Sequence, residues 1–182
     1  VAGHARGAQL GIINIAHKHD GAPIGILNIV AKDGRHNVDV WTSDTSVFSV
    51  GTKLGSRHFY SILGVGLQPM DGKTAWLPTV GLGGRIPITR MISIKPEATL
   101  ATVNVGNEWD EASLLAKGRL TAELKLQDQF AIFAGPTFNL LTGTDEDKRL
   151  NDVSYIPSIS SAKSGDRHND FGIGFALGVQ AF

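Results

Sequence analysis

At 182 residues the chain has the length of a single domain. Its 17 basic and 17 acidic residues cancel, which favours neither nucleic acid nor an anionic membrane surface as partner. It has no cysteine, so disulfide frameworks, thiolate chemistry and sulfur metal sites are excluded.

Glycine is unusually frequent, at 22 residues, or about 12% against an average near 7%. Many of these glycines sit inside apolar stretches, as in Gly64-Val65-Gly66-Leu67 and Gly172-Ile173-Gly174-Phe175. Such a pattern suits strands that bend or approach one another closely, and it suits helices poorly. The longest apolar runs, such as Phe171 to Val179, fall well short of the roughly 20 residues of a membrane-spanning helix.

The first elements in the chain are a repeat. Gly7-Ala8-Gln9-Leu10-Gly11-Ile12-Ile13-Asn14-Ile15-Ala16 recurs 14 residues later as Gly21 to Val30, with six of ten positions identical. Each copy has about the length of a transmembrane strand, roughly 9–11 residues. Asp20-Gly21 and Asp33-Gly34 are hairpin-type turn signals. The two copies therefore read as adjacent strands of a hairpin array. Both faces of each are apolar, so both need cover, which points to a homo-oligomer contact through residues 7–31 or to lipid. Lysines at Ile13 and Leu27 are then expected to break assembly.

Further strands are expected at Val38 to Trp41, Val47 to Leu54, Phe59 to Leu67 and Thr74 to Ile88. Next come Ile92 to Leu100 and Leu114 to Leu126, each with an apolar and a charged face. Leu114, Ala116, Gly118, Leu120, Ala122, Leu124 and Leu126 share one side, and Lys117, Arg119, Glu123 and Lys125 the other. Period-two alternation over a dozen residues is a strand signal, and strands this long exceed the 5–6 residues usual in soluble domains. Gln129 to Leu140 and Asp170 to Phe182 complete the set. Pro78, Pro87, Pro96 and Pro136 predict bulges or local irregularities. Residues 142–169 read as one long polar loop on the outer side. Trp41, Phe59, Tyr60, Trp76, Trp109, Phe138 and Phe171 lie near strand ends, where aromatic girdles sit.

The resulting expectation is an all-β fold over residues 1–182, an antiparallel transmembrane β-barrel of about eight to ten strands or a barrel-forming subunit. Its role would be structural, porin-like or lipid-organising. The alternatives are a soluble lipocalin-like lipid carrier, whose interior rather than exterior is apolar, and a small outer-membrane lipid hydrolase.

The last segment, Phe171-Gly172-Ile173-Gly174-Phe175-Ala176-Leu177-Gly178-Val179-Gln180-Ala181-Phe182, resembles the C-terminal strand of bacterial outer-membrane proteins. The resemblance implies recognition of Phe182 by the barrel-assembly machinery and residence in the bacterial outer membrane. The apolar set is odd-numbered whereas Phe182 is even, a departure from the family's pattern, which keeps the final aromatic in phase with that set; a bulge would reconcile them. The repeat at residues 7–31 resembles those of bacterial surface-repeat proteins of unknown function, which implies a surface location and brings no catalytic residue. No basic region with a following apolar stretch opens at Val1, so this destination presupposes a secretory signal removed or lying outside the numbered chain.

Chemical signals are sparse. His17 and His19 could share a metal if extended, but they sit beside Asp20 in what reads as an exposed turn. His58 with Ser61, and His168 with Asp166 and Asp170, offer hydrolase-type residues without a Gly-x-Ser-x-Gly elbow. Gly81-Leu82-Gly83-Gly84 lacks the Gly-Lys-Ser/Thr ending of a phosphate loop. No catalytic residue, metal ligand or cofactor is assigned. Membrane lipid and further copies of the chain are the expected partners, and nucleic acid is not.

Overall fold

The computed structural model describes residues 2–10, 13–24 and 27–30 as backbone strands, and residues 35–56, 58–70, 72–105, 113–143, 153–154, 156, 158–164 and 167–182. The described chain is all β. Its strands are β1 (Ala2–Leu10), β2 (Ile13–Ile24), β3 (Leu27–Val30), β4 (Arg35–Ser43), β5 (Ser46–Gly55), β6 (Phe59–Met70) and β7 (Lys73–Gly84). They continue with β8 (Ile86–Pro87), β9 (Ile92–Val105), β10 (Ser113–Lys125), β11 (Phe130–Gly143), β12 (Ser160–Ser164) and β13 (Arg167–Ala181).

Eight of these, β4, β5, β6, β7, β9, β10, β11 and β13, form a closed antiparallel barrel, with β13 pairing back onto β4. Closure removes sheet edges. The wall strands are 9 to 15 residues long. The expected alternation between β9 and β10 holds residue for residue: Arg119 lies opposite Glu97, and Leu120 opposite Pro96. One end carries short connections at residues 56–58, 85–91 and 126–129, together with Phe182; we term it the turn end. The other carries the connections at residues 106–112 and 144–159 and is the loop end.

The two faces of the wall differ sharply. Leu100, Leu114, Leu120, Ile132, Phe175 and Leu177 point outward and are exposed, while Lys53, Lys95, Glu97 and Glu123 point inward and are buried. Four of the aromatics expected near strand ends, Phe59, Trp76, Phe138 and Phe171, do point outward. Trp41 and Tyr60 instead face the lumen, because they fall on the inward parity of β4 and β6; Trp109 lies outside the described residues.

The repeat does not make a hairpin within the barrel wall. β1, β2 and β3 form a separate parallel sheet whose partners are 14 residues apart, as in Gly7 with Gly21 and Asn14 with Asn28. The sequence period is thus the rise from one parallel rung to the next, and β2 runs straight through Asp20-Gly21. Within this sheet Ile13 is paired with Leu27. The sheet approaches β5 and β6, whose outward positions Thr52, Leu54 and Leu63 are half-buried and Ser61 buried.

At Pro78 and Pro136 the expected local irregularity appears as lost pairing and not as a bulge. The register is unchanged there, since a proline on a twisted wall loses one donor and nothing more. The register shift lies between Trp41 and Ser43 in the β4–β5 hairpin. Nor does β13 bulge. It stays in uninterrupted register with β11 to Ala181, and Phe182 lies one residue beyond, 41% exposed, its N–H donating to the Gln129 carbonyl at 3.0 Å.

The expected loop at residues 142–169 is shorter than its polar composition suggests. β11 reaches Gly143, and β12 folds back on the start of β13 with Ser160 opposite Phe171. β12 fits there because the β4–β5 hairpin is short: β4 ends at Ser43, opposite Ala176, while β13 continues to Arg167. Gly72, with φ of 77°, turns the chain between β6 and β7 in the left-handed region.

Candidate functional site

An eight-stranded barrel is just wide enough for its own side chains or for one small ligand, and its lumen is where inward residues from every strand converge. Towards the turn end they form a charge network. Glu97 on β9 accepts Tyr60 Oη at 2.7 Å and Arg119 Nε at 2.6 Å, and pairs with Lys53 Nζ at 2.6 Å. Lys53 also pairs with Asp39 at 2.6 Å, linking β5 to β4. Glu123 meets Lys95 and Arg85, both at 3.0 Å, and Gln180 bridges Lys95 and Glu123 at 3.1 Å each. The Phe133 ring lies 4.3 Å from Lys95 Nζ, and the Trp41 ring 5.2 Å from the Arg119 guanidinium, which adds cation–π attraction where water is scarce. Nearly every buried charge here has an opposite partner, as low dielectric requires.

The short turn Asp44-Thr45 sits inside the barrel instead of in solvent, with Asp44 6% and Thr45 0% exposed. Asp44 accepts Thr137 Oγ1 at 2.8 Å, Asn139 Nδ2 at 2.6 Å and Ser154 Oγ at 3.0 Å. It thereby ties β11 and the connection that follows it to the β4–β5 hairpin. Gly174 makes room, because a Cβ there would overlap the Asp44 carboxylate. Lys117 Nζ donates to Ser43 Oγ at 3.1 Å and to Thr45 Oγ1. Ser46 and Ser49 share a hydrogen bond at 2.5 Å.

Across from these polar groups, at the loop end, the lumen is apolar. Ala75, Leu77, Ala101, Val103, Leu115 and Leu141 form one buried cluster with Val153. Between the two walls lies a cavity of about 30 Å³, bordered by Leu77, Ala101 and Leu115 on one side and Thr45, Ser46 and Lys117 on the other. That is room for two or three waters. At the turn end, by contrast, the Asp128 carboxyl is exposed. A hydrogen bond from Lys125 Nζ at 2.8 Å holds it below the usual carboxylate range.

The residues weighed from the sequence fall in different places. His17 and His19 lie within β2, so the turn expected there is absent. His58 is exposed at the turn end, whereas Ser61 is buried on the outward parity of β6. Gly81 to Gly84 belong to β7 and form no loop. His168 and Asp170 share the inward face of β13, both buried at the loop end; Asp166 lies outside the described residues. A Cβ at Gly143 would border both Ser113 Oγ and His168, a nearness that no sequence spacing announces. Among the described residues, no three His, Asp or Glu groups are placed to hold a metal. Asp44, Lys117 and Val153 carried no sequence signal beyond, for Lys117, its inward parity. Compared with protein-family models, with curated proteins and with solved structures, the chain finds no match, so its function is argued from this geometry.

Proposed function

We propose that the chain is an outer-membrane β-barrel with a structural role, a lipid-embedded anchor for the stacked N-terminal strands. The observation that carries this reading is the polarity of the wall. Its outward side presents exposed Leu100, Leu120, Ile132, Phe175, Leu177 and Val179, while its inward side holds paired charges. Water-soluble monomers rarely expose a continuous apolar surface beyond a few hundred Å², and a lipocalin-like carrier would be built the opposite way round. Outward aromatics near each end, Phe59 and Phe130 at the turn end and Phe48, Trp76 and Phe171 at the loop end, match the interfacial girdles of membrane barrels. A pore through one chain is disfavoured, because the charge network crosses the lumen.

The test is fractionation followed by mass determination in detergent. A particle that requires detergent to stay in solution supports the membrane reading; a monodisperse 19.4 kDa monomer without detergent would replace it with the carrier. We further propose self-association through residues 7–31, so the detergent particle should hold several chains. In the double variant Ile13→Lys and Leu27→Lys, two like charges oppose each other in the β2–β3 register, which is destabilising. That variant is expected to run as a monomer in the same measurement, and an unchanged particle mass would count against this contact.

A further inference from the structure

We infer that the loop-end half of the lumen is a binding site for a short-chain aliphatic carboxylate, with its carboxylate on Lys117 and its chain on the apolar wall. This inference concerns the interior alone and does not depend on lipid around the barrel.

Three observations converge on it. First, the inward face of β7, β9, β10 and β11 changes character along the barrel, from Lys95, Glu97, Arg119 and Glu123 near the turn end to Leu77, Ala101, Val103, Leu115 and Leu141 near the loop end. A lumen needed only as a charge-braced plug has no call for an apolar wall.

Second, that wall faces a cation with unused capacity. An ammonium has three donors. Lys117 Nζ gives two to Ser43 and Thr45, and the Asp44 carboxylate acts on it only from beyond ion-pair distance. The cavity of about 30 Å³ opens between Lys117 and the side chains of Leu77, Ala101 and Leu115, so one small space touches charge on one side and hydrocarbon on the other. Thr45, which borders the same space, can turn its hydroxyl hydrogen to a second carboxylate oxygen, whereas the Ser46 hydroxyl is already given to the Phe48 carbonyl.

Third, the apolar wall is covered by a side chain that comes from a connection and not from the wall itself. Val153, 0% exposed, comes from the connection after β11 and packs on Ala75, Leu77, Leu115 and Leu141. Its neighbour Ser154 is tethered to Asp44 at 3.0 Å. The isopropyl group thus occupies the position of the far end of an aliphatic chain, and lifting it lengthens the space from the Lys117 side toward the loop end. A short aliphatic carboxylate combines the two chemistries; a longer chain would have to leave through the loop end.

The experiment uses the whole protein in detergent micelles with labelled Leu and Val methyl groups, titrated with sodium hexanoate and, separately, hexan-1-ol. Saturable shifts at Leu77, Val103 and Leu115 are expected with hexanoate. Hexan-1-ol should bind roughly tenfold more weakly, since it lacks the charge-assisted hydrogen bond. Lys117→Gln should abolish that preference, and Lys117→Arg should retain it. Val153→Ala, which leaves Lys117 intact, should strengthen binding of both probes. Shifts confined to the outward Leu120 and Leu177 would mean partition into the micelle and overturn the inference. So would equal binding of the acid and the alcohol by the unaltered protein.

Discussion

Glu97→Ala should lower the stability of the barrel by about 3–5 kcal/mol, the cost of stripping one partner from a buried ion pair. Glu97 is the acceptor at which β5, β6 and β10 meet, through Lys53, Tyr60 and Arg119. Removing it leaves Arg119 with no carboxylate partner among its described contacts and Lys53 with Asp39 alone. Neither cation can turn outward, because the outer parity of the wall is apolar. Glu97→Gln keeps the shape and one acceptor, so the part of the loss it reproduces is charge. Urea unfolding of the refolded protein, followed by tryptophan fluorescence, should show the midpoint falling by about 2 M. Asp128→Ala, which removes an exposed partner of Lys125, should leave the midpoint where it was. An unchanged midpoint in Glu97→Ala would refute the idea that the network braces the lumen.

The barrel was legible in the sequence because its wall obeys a local rule. Each residue of β9 and β10 faces outward or into the lumen by parity alone, so Ile92 to Leu100 and Leu114 to Leu126 could be assigned to strands, and to faces, without knowing any partner. The same rule, applied strictly, would also have placed Trp41 and Tyr60 inside: Asp39 and Trp41 share a parity, as do Tyr60 and Ile62. Nearness to a strand end outweighed parity for these two aromatics and misplaced them.

What local rules could not supply was long-range. An Asp-Gly pair reads as a hairpin turn, but identical residues 14 apart fit parallel rungs equally well, and the register of β1 on β2 follows the period rather than the turn signal. Asp44 looked like an ordinary turn residue. Its burial arises from the mismatch between the short β4–β5 hairpin and the much longer β13, a difference visible only once both are paired. Val153 lies in a stretch whose polar composition announces a loop, and nothing nearby in sequence reveals the apolar wall that buries it.

Leu120→Arg is the substitution that separates the membrane reading from its alternative most cleanly. Leu120 points outward midway along β10, opposite Pro96, and is 47% exposed. In a bilayer that position lies near the midplane, where an arginine on the lipid face costs about 2–4 kcal/mol. Leu126, 53% exposed just beyond the end of the same strand, falls at the interface, where Leu126→Arg should cost about 0–1 kcal/mol. A barrel standing in water has no such depth profile, since both side chains already face solvent and a surface change of this kind stays within about 0.5 kcal/mol. The measurement is refolding into phospholipid vesicles against urea for the two variants and the unaltered chain. A large penalty at Leu120 with little at Leu126 places the outward face in hydrocarbon. Equal and small effects at both would move the barrel into water, where its exposed apolar face would need a protein partner to cover it.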